Sequence, residues 1–383
     1  MLRNGASFIS IPISRRYRKS RSALIAAVSL VTVVIGVAAV WYLSPQFSVM
    51  PAMSVQPIEV VSSPVRMVIL VDQSASISAE DMSREREAAA LIALSEISPR
   101  PEISVVGFSS DDGIGRSPVD VVCPPAGISG RDERETLSSC VARLGSRGSS
   151  GTDYVAALKE ALSLLGDGKD DEGQKLVYLL TDGKLDVASS PRYGPSPEVR
   201  NSNAQAALEQ TVSEARGKGV QIWPIGFGSV DKTSLERLAS GGYQRSCGSG
   251  NFPKATVVDS SADVMGAAAS IFSESRCLRG NSVSFSNEVR YSVRVPYKAG
   301  NLAITVTGIS SEAEVTFIDP NGREVGGSDR LQADIVGGGG GGGSGSVRLL
   351  RASSPIPGNW LVKLNWSGVG SMRHVGIVAT WGP

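Results

Sequence analysis

Met67-Val-Ile-Leu-Val-Asp-Gln-Ser-Ala-Ser-Ile-Ser78 is the stretch on which the fold turns. It opens with five apolar, partly β-branched residues, a short unbroken run suited to a strand buried on both faces of a parallel sheet. The run ends on Asp72, Ser74 and Ser76, small oxygen-bearing side chains at alternate positions. Open α/β sheets bind their ligands beyond the carboxyl ends of the strands. One carboxylate and two hydroxyls at such an end suit a hard divalent cation. Asp and Ser equally suit a turn followed by a helix cap, so this stretch alone leaves a metal site and an ordinary turn both open.

Downstream, the pattern alternates. A helix is expected over 81–97, with Ala88, Ala89, Leu91, Ile92 and Leu94 on its apolar face and Pro99 and Pro101 stopping it. Apolar runs at 103–108, 119–122, 175–181, 220–227 and 256–258 predict strands. Between and after them, 132–144, 153–165, 203–218, 232–239 and 262–275 predict helices. Strands alternating with helices of this length mean βαβ crossovers, hence an α/β fold with a doubly wound, mostly parallel sheet covered on both faces. Two more oxygen-bearing positions follow from it. Thr152 closes a Gly/Ser-rich loop at a helix start, and Asp182 follows the strand at 175–181. In a doubly wound sheet these ends can meet Asp72 at one edge, which favours the metal site over the turn.

At these residues the sequence resembles the von Willebrand factor A family, of the integrin inserted-domain type. The metal-ion-dependent adhesion site of that family uses D-x-S-x-S, then a Thr, then an Asp. Here the positions read Asp72-Gln-Ser74-Ala-Ser76, Gly151-Thr152-Asp153 and Thr181-Asp182-Gly183. The stretches 220–228 and 235–239 also look like the family, and the resemblance covers about 65–275. It implies that Ser74, Ser76 and Thr152 ligate a cation directly, with Asp72 and Asp182 acting partly through bound water. Two carboxylates in a compact shell point to Mg²⁺ or Mn²⁺ rather than Ca²⁺. The resemblance further implies that a partner's Asp or Glu completes the shell, making partner binding metal-dependent. Asp153 is expected to compensate the helix dipole, and Asp111 and Asp112 to be solvated. The loops 109–116, 145–151 and 184–201 should rim the metal and select the partner.

After Cys277 the grammar changes to period two. Val289, Tyr291, Val293 and Val295 alternate with polar residues, as do Leu302, Ile304 and Val306, then Val315 and Phe317, then Trp360, Val362, Leu364 and Trp366. Turn sequences such as Asp319-Pro-Asn-Gly322 separate these runs, so an all-β antiparallel sandwich is expected over 281–383. Gly337 to Gly343, seven glycines in a row, form a flexible loop and no phosphate cradle, because no Gly-Lys-Ser/Thr follows.

Ahead of the opening stretch lies a different chemistry. Residues 1–22 carry Arg3, Arg15, Arg16, Arg18, Lys19 and Arg21 and no acid. Residues 23–43 are uncharged and end in Trp41, Tyr42 and Leu43. Such a run spans roughly 30 Å as a helix, the thickness of a bilayer core. It predicts one transmembrane helix with the basic tail cytoplasmic and everything beyond Leu43 outside. A cleaved signal peptide is the rival reading, with a shorter apolar region and a small-residue cleavage site that is not evident here. Residues 44–64, with three prolines and several serines, are expected to be a stalk leading to the α/β domain at 65–278.

The four cysteines fit an oxidising exterior, and none falls in a C-x-x-C pair. Closeness in sequence favours Cys123–Cys140 and Cys247–Cys277 as disulfides, with four free thiols as the alternative. The 38 basic residues less the six in the tail leave 32 against 37 acids, a balance of −5. A mildly acidic body argues against nucleic-acid binding.

The function expected is therefore that of a single-pass membrane protein binding a protein partner through a divalent cation. An envelope scaffold or assembly factor with a structural metal is the alternative, and a hydrolase stands behind both. The only histidine, His374, falls in the sandwich, so no serine–histidine pair is available near Asp72. Position 74 is Ser where a haloacid-dehalogenase-like phosphatase needs an Asp, and no Walker or G-x-S-x-G motif occurs.

Overall fold

The structure, a computed structural model, describes residues 64–98, 101–111, 113, 115–166, 173–245, 252–276, 290–310, 313–325, 330–335, 345–365 and 375–382, with short strands at 53–55, 58–59 and 283–285. The basic tail and the helix expected at 23–43 lie outside these residues, as do Cys247, Cys277, His374 and the glycine run. Among the described residues no helix is long and apolar enough to cross a membrane.

The opening stretch becomes β3 (Val65–Asp72), whose apolar side chains are almost wholly buried. It is followed by α1 (Ala79–Leu94), β4 (Glu102–Phe108), β5 (Val119–Gly127), α2 (Arg131–Val141) and α3 (Tyr154–Leu165). Then come β6 (Gln174–Thr181), α4 (Pro197–Gly217), β7 (Val220–Phe227), α5 (Lys232–Gly241), β8 (Thr256–Val258) and α6 (Val264–Ser275). The strands form one six-stranded sheet in the order β5-β4-β3-β6-β7-β8. β3 pairs parallel with both β4 and β6, and β6-β7-β8 continue parallel. The chain therefore steps to one side of β3 and returns on the other. Asp72 and Thr181 end the two strands at that reversal, where a crevice opens in sheets of this kind.

Successive β3 residues feed opposite faces. Met67, Ile69 and Val71 pack with α1, α2 and α6, whereas Val68 and Leu70 pack with α3, α4 and α5. Each fully buried side chain of this kind contributes about 1.5–3 kcal/mol, which makes β3 the anchor of both layers.

Several boundaries differ from the sequence reading. The sheet is mixed, because β5 runs antiparallel to β4 with two register shifts. β5 extends through Pro124 and Pro125, which an edge strand tolerates because one side needs no N–H donor. α1 stops at Leu94, where the Arg134 guanidinium takes up the carbonyls of Leu94 and Glu96 at 2.8 and 2.7 Å. α4 begins at Pro197, six residues earlier than expected. Ser196 caps it and Pro197 occupies the first turn, where a missing N–H costs nothing.

Beyond the α/β sheet lie two mostly antiparallel sheets. One has the order β1-β10-β16-β12-β13, built from β1 (Met53–Val55), β10 (Arg290–Val295), β12 (Glu314–Ile318), β13 (Glu324–Val325) and β16 (Gly358–Asn365). The other has the order β14-β15-β11-β17-β2, built from β2 (Ile58–Glu59), β11 (Asn301–Ser310), β14 (Arg330–Ile335), β15 (Gly345–Ser353) and β17 (Val375–Gly382), with β9 (Val283–Phe285) also on β17. Tyr291, Val293, Val315, Phe317, Val362 and Leu364 meet Leu302, Ile304 and Val306 in the core between them. β1 and β2 fall within the segment 44–64 expected to be a stalk, the rest of which, apart from Pro64, lies outside the described residues. Its residues 53–55 and 58–59 pair parallel with β10 and β17, one strand in each sheet.

The two parts share packing. Ala303, Val347, Leu349 and Val378 of the sandwich belong to the same buried cluster as α1, α2 and α6. Thr380 donates to the Ser95 carbonyl at 3.1 Å, and the hydroxyls of Ser95 and Thr305 bond at 3.0 Å. Cys123 and Cys140 form a disulfide between β5 and α2, with Cα atoms 5.7 Å apart.

Candidate metal centre

β3 delivers Asp72 fully buried at its carboxyl end. One carboxylate oxygen accepts from the Ser74 backbone N–H at 2.9 Å, and the other accepts from the Thr181 hydroxyl at 2.7 Å. The turn that follows is held from both sides. Gln73 N–H donates to Phe108 O at 2.7 Å and Ala75 N–H to Ser149 O at 2.6 Å. That geometry sets the hydroxyls of Ser74 and Ser76 2.8 Å apart, both turned to the same spot. Ser78 then caps α1 by accepting from Asp81 N–H.

Thr152 reaches the same place from the loop before α3. It exchanges two backbone hydrogen bonds with Asp186, at 2.8 and 3.0 Å, and its hydroxyl lies 3.5 Å from Asp72 Oδ2. Asp153 caps α3 by accepting from Ala156 N–H, and both its oxygens accept from the Tyr193 hydroxyl at 2.8 and 2.9 Å. It thereby ties the loop at 184–201 to α3. Arg200 and Asn203 pin that loop further through the carbonyls of Ala188, Gly194 and Tyr193. Asp111 bonds its own turn, at Gly113 N–H.

Asp182 follows β6, and its Oδ1 is buried with no hydrogen-bond partner among the described residues. Next to it Gly183 leaves room. A Cβ there would fall 2.9 Å from Thr152 Oγ1 and 3.6 Å from Asp72 Oδ2. Tyr154 donates to Gly183 O at 2.6 Å, fixing this turn to α3. All five positions singled out from the sequence thus border one region. A cleft of about 670 Å³ opens over it, lined in part by Ser76, Asp81, Thr152, Asp182, Asp186 and Asp259.

The electrostatics are those of acids without counter-charge. Burial pushes the Asp72 carboxyl up to about 6, against the hydrogen bonds from Thr181 and Ser74, and the charge of Asp182 adds to the rise. Burial, then the charge of Asp81, raises Asp182. Among the described residues neither is paired with a lysine or arginine. A dication suits this set. Three hydroxyls and two carboxylates are hard oxygen donors, Asp182 Oδ1 awaits a partner, and the glycine leaves space. No group of three His, Cys, Asp or Glu side chains arranged for a metal occurs among the described residues, so hydroxyls are needed to complete any shell.

Sequence reasoning passed over three contributors. Thr181 orients Asp72, Gly183 keeps the approach open, and Glu85 stands buried on α1. An acid on the apolar stripe of α1, three, four and seven residues before Ala88, Ala89 and Ile92, is the signal that could have found the last.

An α/β sheet with oxygen-bearing side chains gathered at its reversal point defines the class of fold this chain adopts. The chain belongs to the von Willebrand factor type A domain family, whose pattern matches residues 67–258, half of its length. Domains of this family commonly bind a divalent metal at the metal-ion-dependent adhesion site. No curated protein matches the chain. Among solved structures, proximal thread matrix protein 1 from the mussel byssus is 19% identical, covering 60% of this chain and 51% of its own, with a TM-score of 0.41. Another structure of that protein, with a zinc-occupied MIDAS motif, is 18% identical over the same shares, 60% and 51%, with a TM-score of 0.41. The pilus adhesin SpaC from Lactobacillus rhamnosus GG, in an open conformation, is 13% identical, covering 84% of this chain and 40% of its own, with a TM-score of 0.40. The chain spans about half the length of the mussel protein.

Proposed function

We propose that this chain binds a protein partner through a divalent cation held by Ser74, Ser76, Thr152, Asp72 and Asp182. The observation that carries the reading is Asp182 Oδ1, buried and unpartnered beside buried Asp72 and the three hydroxyls. The hydroxyls would ligate directly, and the two carboxylates would act partly through bound water, a set suited to Mg²⁺ or Mn²⁺. The cation, when bound, would supply an electrophilic position for an acidic side chain of the partner. The chain's own residues do the rest. Thr181 and the Ser74 N–H hold Asp72 in one orientation, and the Asp186 backbone fixes Thr152. We read the role as adhesive rather than enzymatic.

Residues 23–43 would hold the protein in a membrane, with the cleft on the extracytoplasmic side. The disulfide between Cys123 and Cys140 supports an oxidising compartment. Capture of partners from a surface extract by the tagged protein, with Mg²⁺ and with chelator, tests the reading. Cation-dependent capture that Asp72→Ala abolishes is expected. If chelation leaves capture unchanged and Asp72→Ala only lowers the melting temperature, the scaffold reading with a structural metal takes its place.

A further inference from the structure

Helix α1 carries an acid that the shell above does not use. Glu85 is fully buried, and among the described residues neither of its carboxylate oxygens has a hydrogen-bond partner. Its charge interactions are, from the largest, with Asp72, Asp182 and Asp81, all of its own sign. Two buried acids elsewhere in the α/β domain are neutralised, one of them at the far end of the sheet. Glu96 meets Arg276 at 2.7 Å with both side chains fully buried, and Glu87 meets Arg84 at 3.5 Å. Glu85, only two residues before Glu87, is left facing acids.

A lone buried carboxylate is costly unless a positive charge compensates it. α1 is buried on every side from Met82 to Leu94, which keeps Glu85 from turning to solvent. As a packing residue it would be outdone by any apolar side chain of similar length. As a source of charge beside a cation site, by contrast, it has a use.

We propose that Glu85 is a positioning residue of the metal centre: its negative charge, buried and without a counter-charge on α1, raises the affinity for the divalent cation without being a ligand. This rests on the metal reading given above. With the half-buried Asp182 and the buried Asp72 and Glu85 together, three acids would act on a bound dication, so the loaded centre would be one charge more negative than its ligand shell alone. Such a centre retains its cation more firmly than two carboxylates would.

The test is titration calorimetry with Mg²⁺ and with Mn²⁺ on the full chain in mild detergent, comparing the parent with Glu85→Gln and Glu85→Met. Melting temperatures are taken in parallel, with chelator and with saturating cation. Both neutral variants are expected to bind the cation roughly tenfold or more weakly. In chelator they should melt at or above the parent, because repulsion among the acids is relieved. The rise in melting temperature on adding cation should therefore shrink. A residue that only packs would shift the chelated and loaded melting temperatures alike. A folded neutral variant with affinity within twofold of the parent overturns the proposal. Glu85→Met decides if Glu85→Gln does not fold, and failure of both to fold in either condition assigns the residue to the fold and also overturns it. A parent that binds neither cation overturns the metal reading itself, a result visible before any variant is compared.

Discussion

The hydroxyl of Thr152 stands 3.5 Å from Oδ2 of Asp72, 80 residues earlier in the chain, and the same oxygen accepts from Thr181 at 2.7 Å. Two loops and two strand ends therefore share one carboxylate. The approach stays open because residue 183 has no side chain.

Gly183→Ala would set a Cβ 2.9 Å from the Thr152 hydroxyl oxygen, closer than ordinary contacts allow. The threonine must give way, and with it one corner of the cation shell. Cation affinity is expected to fall about tenfold or more, while circular dichroism stays that of the parent. Calorimetric titration checks this, and unchanged affinity would refute the close-approach argument.

The metal-free protein should respond to pH with a definite sign. Asp72 rises from an ordinary 3.8 to about 6, so the folded state holds its proton more tightly than the unfolded chain. Its contribution is fully present below about 3.8 and is lost as pH rises through about 6, a loss of roughly 3 kcal/mol. Asp182 and Glu85, both raised chiefly by burial, act in the same direction. In chelator the melting temperature is expected to decline from pH 4 to about 7, and saturating Mg²⁺ should reverse that decline above about 6. A chelated melting temperature that climbs over this range would contradict it.

At the opposite end of the sheet, Arg276 and Glu96 form an ion pair at 2.7 Å with both side chains fully buried. Gln174, which begins β6, also bonds Arg276, whereas Thr181 ends that strand about 23 Å away at the usual rise per residue. Arg276→Leu leaves Glu96 buried and unpaired, and should cost about 3–5 kcal/mol of stability. Cation affinity should not change. Urea denaturation together with calorimetry separates the two effects.

Reduction of Cys123–Cys140 releases a loop of 17 residues between β5 and α2. The expected loss is about 3 kcal/mol, read as a lower denaturation midpoint for Cys123→Ala/Cys140→Ala than for the oxidised parent. An unchanged midpoint would show that β5 and α2 are held by packing alone.

The parts of the fold written as strong periodic patterns were legible. The run through Val71 is apolar because β3 is covered on both faces, and Tyr291, Val293, Val315 and Phe317 alternate because their sheet buries one side. Asp72, Ser74, Ser76, Thr152 and Asp182 stood out because each follows a strand or enters a helix; Ser76, Thr152 and Asp182 line one cleft, and Asp72 and Ser74 are buried in hydrogen-bond contact with that group. What stayed hidden lacked pattern. β1 and β2 are three and two residues long, too short to show a period. The Ser196-Pro197-Glu198 start of α4 was masked by the polar loop before it, although a capping Ser and a first-turn Pro are sound helix signals. Pro124 and Pro125 argued against a strand until the sheet order put them on an edge.

β1 and β2 also have a mechanical meaning. Tension on the chain ahead of Met53 must strip β1 from β10, then β2 from β17, before any of it reaches Val65 and the strand that carries Asp72. The sandwich acts as a strain relief, like the clamp on a cable where it enters a plug. Tugging on the leader would wear at that clamp first, and the grip of the cleft on whatever it holds would be set by its own bonds rather than by the pull behind it.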